Sequence, residues 1–246
     1  MAEIINGILI PFVGTALGAA CVFFLKGTLK DTLRKAFNGF AAGVMVAASF
    51  FSLLLPSIEQ SESLGAFCFF PAVLGLLAGF GFLLLLDIVI PPITEGCGAS
   101  NRPSMLFLAV TLHNIPEGMA VGVVLAGLAA ENTQITSASA LALALGIAFQ
   151  NFPEGAIISL PLRAQGKGRF KAFLWGALSG AAEPVAAVCT LFLAGLVVPL
   201  IPYFLSFAAG AMFYVVAEEL LKENSHIGTA FFALGISLMT VISCAL

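Results

Sequence analysis

A chain of 246 residues that is 60% hydrophobic and 9% charged, with mean hydropathy +1.09, lacks the polar surface needed to clothe a water-soluble globule. Its formal net charge of -3 comes with no acidic or basic tail, so no nucleic acid partner is expected and the lipid bilayer is the implied solvent.

The first apolar run, 4–25, follows Glu3 and no Lys or Arg, so it lacks the basic flank of a cleaved signal peptide and reads as a spanning helix. Further stretches near the roughly 20 residues that cross a bilayer follow at 36–55, 66–90, 105–128, 138–162, 172–198, 203–221 and 227–246. They are continuous rather than alternating, which points to helices and away from a barrel. The expected fold class is therefore an all-α integral membrane protein of eight transmembrane helices, with 1–246 forming a single transporter domain. The turn-rich segment 91–104 reads as the longest loop. Cys21, Cys68, Cys97, Cys189 and Cys244 are scattered, with no C-x-x-C pair, and read as packing residues.

Basic residues test the span count. Lys26, Lys30, Arg34 and Lys35 follow span 1, and Arg102 follows span 3. Arg163, Lys167, Arg169 and Lys171 surround the connection after span 5, and Lys222 follows span 7. All ten fall on one side, whereas Glu3, Glu59, Glu62 and Glu131 fall on the other. By the positive-inside rule, the expected placement is a multi-pass protein of the cell (inner) membrane with both termini outside.

Ionisable groups inside spans are costly, at roughly 2.5–3.5 kcal/mol for a central Asp, Lys or Arg on insertion scales, so each needs a reason. Asp87, Glu117, Glu154, Glu183, Glu218 and Glu219 qualify, with no Lys or Arg at similar depth. Glu218 and Glu219 lie near the cytoplasmic end, where reaching water explains them as well as function does. The sharpest signal is a repeat: His113-Asn114-Ile115-Pro116-Glu117-Gly118 in span 4 and Gln150-Asn151-Phe152-Pro153-Glu154-Gly155 in span 5. The two copies run in opposite directions at mid-membrane, as an inverted-repeat transporter arranges its substrate site. Residues three and four apart share a helix face, so His113 and Asn114 adjoin Glu117, and Gln150 and Asn151 adjoin Glu154. Pro116 and Pro153 cannot bond the carbonyls of Leu112 and Phe149, so a kink and freed oxygens are expected at the same depth.

One imidazole, several carboxylates and side-chain amides suit a divalent cation. The imidazole, together with a thioether, shifts preference from Mg2+ or Ca2+ toward Zn2+, with Cd2+, Fe2+ and Mn2+ open. No Walker A sequence accompanies them, so transport without nucleotide hydrolysis is expected rather than an enzyme. One rival is a proton-coupled carrier of another small solute, which could use the same carboxylates. Another is an intramembrane metalloprotease, which needs H-E-x-x-H spacing, whereas His113 and His226 are far apart. Oligomeric state stays open, a homodimer included.

At these residues the chain resembles the ZIP (Zrt/Irt-like) family of metal transporters, most of all its bacterial GufA-like branch. The matching pieces are H-N-I-P-E-G-M-A, Q-N-F-P-E-G-A, A-E-P-V in span 6, A-A-G-V-M-V-A-A-S in span 2 and A-E-E-L-L in span 7. The resemblance implies an inverted repeat of spans 1–3 and 6–8 around spans 4 and 5, enclosing a binuclear metal site. One metal position would use His113, Glu117, Gln150 and Glu154, with Met45 nearby. The second would use Asn114, Asn151 and Glu183, bridged by Glu117 and Glu154. Ser49 and Ser52 share the Met45 helix face and would line the route, and Asp87, Glu218 and Glu219 resemble cytoplasmic exit residues. Gln150 stands where many relatives carry a second His, and segment 91–104 lacks the His-rich loop that many have.

Overall fold

The computed structural model describes residues 2–24, 30–94, 102–131, 135–221 and 225–246, with the side chains of 90–94, 102–109, His113 and Glu219 outside that description. Among the described residues, eight helices are long and apolar enough to cross a membrane. They are α1 (Ala2–Phe23), α2 (Asp31–Glu59), α3 (Phe69–Val89), α4 (Val110–Ala129), α5 (Ser137–Ala164), α6 (Arg169–Phe192), α7 (Ala194–Glu218) and α8 (His226–Ala245). The segment read as a 91–104 loop is partly helical. The helix holding α3 runs on through Pro91 and Pro92 to Thr94, and the helix holding α4 begins at Arg102. A proline φ near -65° is helical, so the tandem prolines occupy the end of a helix instead of opening a loop. Cys97 lies outside the described residues.

Local chemistry sets the ends. The Thr136 hydroxyl accepts from the Ser139 amide at 3.0 Å while Ser139 Oγ accepts from the Thr136 amide at 3.0 Å, a reciprocal cap that starts α5. Beyond its far end Gly166 takes φ 91°, left-handed backbone that glycine adopts without a Cβ clash. The Lys167 amide then donates to the Leu162 carbonyl at 3.2 Å. Ser225 Oγ caps α8 by accepting from the Gly228 amide at 3.1 Å. α4 and α5 stay helical through Pro116 and Pro153.

The helices pair as α1 with α5, α4 with α6, α2 with α8 and α3 with α7. Exchanging α1–α3 with α6–α8, and α4 with α5, turns α1/α5 into α6/α4 and α2/α8 into α7/α3. The pairing therefore obeys an inverted repeat, and glycine contacts carry it to single residues. A Cβ on Gly43 would strike the Phe232 carbonyl, and one on Gly210 would strike the Leu76 carbonyl. A Cβ on Gly235 would strike the Phe40 carbonyl, and one on Gly79 the Phe207 carbonyl. Each contact is the image of another under the exchange. Such backbone-on-backbone packing substitutes for the hydrophobic drive that lipid removes. The sequence echoes it: Ala41-Ala42-Gly43-Val44-Met45 in α2 matches Ala208-Ala209-Gly210-Ala211-Met212 in α7, and π-helical turns follow in register at Ser49–Leu54 and Val216–Leu220.

Depth within the bundle follows the same symmetry. Over their most apolar windows, 71% of α4 and 61% of α5 are buried, against 22% of α3 and 17% of α8. The motif-bearing helices are thus central and the third helix of each triplet faces lipid. The main apolar core, including Met45, Leu143, Ile147, Leu205 and Met212, fills the space between the two sets of pairs. A cavity of about 760 Å³ between α1, α2, α5 and α8 is lined by side chains such as Leu9, Val13, Leu17, Phe37, Phe152 and Phe231. Its walls are hydrocarbon, so it belongs with the lipid-facing surface and not with the polar cluster.

Both chain ends share one face: Ser137 Oγ donates to Glu3 Oε2 at 3.0 Å, and Leu246 lies beside both residues. One span away, Asp31 pairs with Arg34 at 2.7 Å and with Lys35 at 2.8 Å, and Lys167 lies over the Trp175 ring.

Candidate metal site

The two motif glycines select the neighbours of the two motif glutamates. Gly118 packs against the Glu183 backbone of α6, and Gly155 packs against the Thr15 backbone of α1, both too closely for any Cβ. Thr15 and Glu183 are images of each other under the exchange. Glu183 also follows an irregular turn of α6: Ala181, between Arg169–Gly180 and Ala182–Phe192, keeps helical φ -66° and ψ -16°, but its amide donates to the Leu178 carbonyl, three residues back. Pro184 has no amide to offer the Gly180 carbonyl, so one helical hydrogen bond is missing at that turn.

Around this point Asn114, Glu117, Gln150, Asn151, Glu183 and Thr15 are all buried, each no more than 2% exposed. Gln150 Nε2 donates to Glu117 Oε1 at 2.6 Å, tying α5 to α4. Thr15 Oγ1 donates to Glu183 Oε1 at 3.1 Å, tying α1 to α6. Asn114 Nδ2 donates to the Ser179 carbonyl at 3.1 Å. Glu117 lies within electrostatic reach of Glu183, Glu183 within reach of the half-buried Glu154, and Asn151 adjoins both Glu117 and Glu183. No Lys or Arg occurs in 103–162 or 172–221 to balance these carboxylates.

The hydrogen bonds leave acceptors over. Asn114 Oδ1, Glu117 Oε2, Gln150 Oε1, Asn151 Oδ1 and Glu183 Oε2 are buried oxygens with no hydrogen-bond partner, and Asn151 Nδ2 is left over with them, a single amide donor against five acceptors. A buried polar group without a partner costs about 1–3 kcal/mol, and more when charged. Five such oxygens in one lysine-free region are what a cation's coordination shell would satisfy. Among the described residues no three of His, Cys, Asp and Glu converge on one point. The amide oxygens of Asn114, Gln150 and Asn151 therefore belong to the donor set together with the carboxylates of Glu117 and Glu183.

Of the residues anticipated from sequence, the structure brings together Asn114, Glu117, Gln150, Asn151, Glu154 and Glu183. Met45 is fully buried in the core cluster that also holds Leu143 and Ile147 of α5. Ser49 and Ser52 are buried within the π-helical turn of α2, Ser49 Oγ without a partner. Asp87 and Glu218 are exposed and belong to the α3–α7 pair, where the Tyr214 hydroxyl donates to Asp87 Oδ2 at 2.7 Å. The side chains of His113 and Glu219 lie outside the described residues. Thr15 escapes a sequence reading because it is uncharged and outside any motif. The available signal was faint: Gly14, Gly18 and Ala19 around it parallel Ala182, Ala186 and Ala187 around Glu183.

Paired polar motifs meeting at the centre of an inverted repeat of spanning helices form the architecture of a multi-pass membrane transporter. Residues 92–243 match the family model described as ZIP zinc transporter. The chain is 35% identical to zinc transporter ZIP11 of Xenopus tropicalis, over 90% of this chain and 89% of that one. It is 36% identical to zinc transporter ZIPB of Bordetella bronchiseptica, over 96% and 78%, and 35% identical to zinc transporter GufA of Myxococcus xanthus, over 87% and 86%. The chain belongs to the ZIP zinc transporter family, whose function is transport rather than catalysis.

Proposed function

We propose that this protein carries divalent metal ions, zinc first among them, across the cell membrane into the cytoplasm, with 1–246 acting as one transport unit. The observation that carries this reading is the set of five buried acceptor oxygens without hydrogen-bond partners, all within 103–162 and 172–221, segments that hold no Lys or Arg. Cation entry would give those oxygens a partner and offset the charge of Glu117, Glu154 and Glu183.

Three carboxylates and three amides, more donors than one ion takes up, support two neighbouring metal positions. His113, Glu117, Gln150 and Glu154 would hold one, next to Met45. Asn114, Asn151 and Glu183 would hold the other, with Glu117 and Glu154 shared. Oxygen-rich donors with at most one imidazole suit an ion that must leave again, and they leave cadmium, iron and manganese as competitors of zinc. Ser49 and Ser52 would line the approach, and Asp87, Glu218 and Glu219 would receive the ion on the basic, cytoplasmic face. An inside-negative potential favours inward flow by about 2.3 kcal/mol per charge per 100 mV, twice that for a divalent ion. Alternating access would arise from one set of helix pairs shifting against the other.

Zinc uptake into proteoliposomes tests the reading. Glu117→Ala and Glu154→Ala are expected to insert normally and to reduce zinc flux at least a hundredfold. Parental flux in both variants would remove the assignment of the site.

A further inference from the structure

Resting on the metal-carrying reading of the cluster, we propose that Thr15 is a positioning residue whose hydroxyl holds Glu183 Oε1 and thereby aims Glu183 Oε2 at the cation.

Three observations converge. First, Thr15 spends its hydroxyl proton on a carboxylate of another helix, at 3.1 Å. A helical threonine can instead return that proton to a carbonyl of its own preceding turn. Thr190, Ser179 and Ser159, buried like Thr15, do so with the carbonyls of Ala186, Gly176 and Ala156. Second, the side chain is clamped. The Gly155 backbone lies against Thr15, and a Cβ on Gly180 would come within 2.7 Å of Thr15 Cβ and Oγ1. β-Branching leaves a helical threonine two χ1 rotamers, and Thr15 takes the one that turns its hydroxyl to Glu183. Third, the pair divides the Glu183 carboxylate into two unlike oxygens, because Oε1 accepts from Thr15 while the buried Oε2 makes no hydrogen bond, with the Asn151 amide beside the carboxylate.

The consequence is chemical. A carboxylate held by one oxygen presents the other in a fixed direction, and partners that orient a metal ligand commonly contribute 10–100-fold in affinity. Thr15 also occupies the position that mirrors Glu183. The pseudo-twofold thus places a carboxylate at one of two equivalent points and its hydrogen-bond donor at the other, so the site carries no fourth acidic group there.

The test compares Thr15→Val, which keeps the shape and removes the donor, with Thr15→Ser, which keeps the donor, in the full chain in proteoliposomes with zinc as the probe. Thr15→Val is expected to raise the KM for zinc about tenfold with maximal flux less affected, and Thr15→Ser to stay within about twofold of the parent. On a Glu183→Gln background, Thr15→Val should add no further loss, because the two act as one unit. If Thr15→Val does not fold, Thr15→Ala removes the same donor under the same expectations. A parental KM in the donor-less variant, an equal loss in Thr15→Ser, or additive losses in the double variant would each overturn the proposal. Glu117→Ala, run alongside, separates the two ideas. If it is inactive while Thr15→Val is normal, only the role of Thr15 falls; if it is active, the metal reading itself falls.

Discussion

The two halves of the inverted repeat agree in their packing and differ in their chemistry. Gly43 and Gly79 of the first triplet make the same backbone contacts as Gly210 and Gly235 of the second, and each triplet follows an A-A-G-x-M stretch with a π-helical turn. Where Glu183 stands in α6, however, Thr15 stands in α1, and where Ser52 stands in the α2 turn, Glu219 stands in the α7 turn. Close helix contact in lipid admits few residue types, whereas an ion site gains by being unequal. Acidic groups at every equivalent position would collect charge with no cation to offset it. The repeat therefore fixes the frame, and departures from it define the direction and composition of the polar path.

Breaking the shared frame should have the largest effect. Gly43→Val and Gly210→Val each force a side chain into a neighbouring carbonyl, beyond the roughly 1–3 kcal/mol of ordinary overpacking. Neither is expected to yield monodisperse protein by size exclusion, whereas Gly81→Ala, with open space around it, should behave as the parent. Stable protein from Gly43→Val alone would mean that the halves are not equivalent in packing.

Breaking the chemical asymmetry comes next. Glu183→Gln keeps the shape and the Thr15 contact but removes a charge. Zinc binding measured by titration calorimetry is expected to weaken at least tenfold, about 1.4 kcal/mol, with no loss of folded protein. Unchanged zinc affinity would remove Glu183 from the cation's shell.

The smallest effect sharpens the comparison at its periphery. Tyr214→Phe deletes the donor to Asp87, a single hydrogen bond of about 1 kcal/mol, so the unfolding temperature should fall by about 2–4 °C at this chain length. Zinc KM should stay within twofold. A larger shift in KM would draw Asp87 and Tyr214 into the transport path.

Much of this was legible in the chain before folding. Asn114, Glu117, Gln150, Asn151 and Glu154 stood out because ionisable and amide groups are costly in lipid and because they recur in register. The A-A-G-x-M repeat of α2 and α7 was equally readable but carries no charge, so apolar small residues concealed it. Thr15 was not readable, since a hydroxyl inside a span ordinarily bonds its own helix and becomes notable only beside Glu183. Asp87 already stood near the end of the expected span 66–90, and it lies exposed toward that end of α3, but its tie to Tyr214 of α7 was not readable from sequence.

Hydrophobic length alone determined that the chain crosses the bilayer eight times, because unsatisfied backbone forbids any other solution in lipid. The spacing of Asn, Pro, Glu and Gly alone determined that two opposed helices present matching polar faces. Only the tertiary structure decided which helix meets which, and that a threonine from α1 holds one oxygen of Glu183. Those facts depend on where glycines let backbones touch, a property of pairs of helices that no single segment contains.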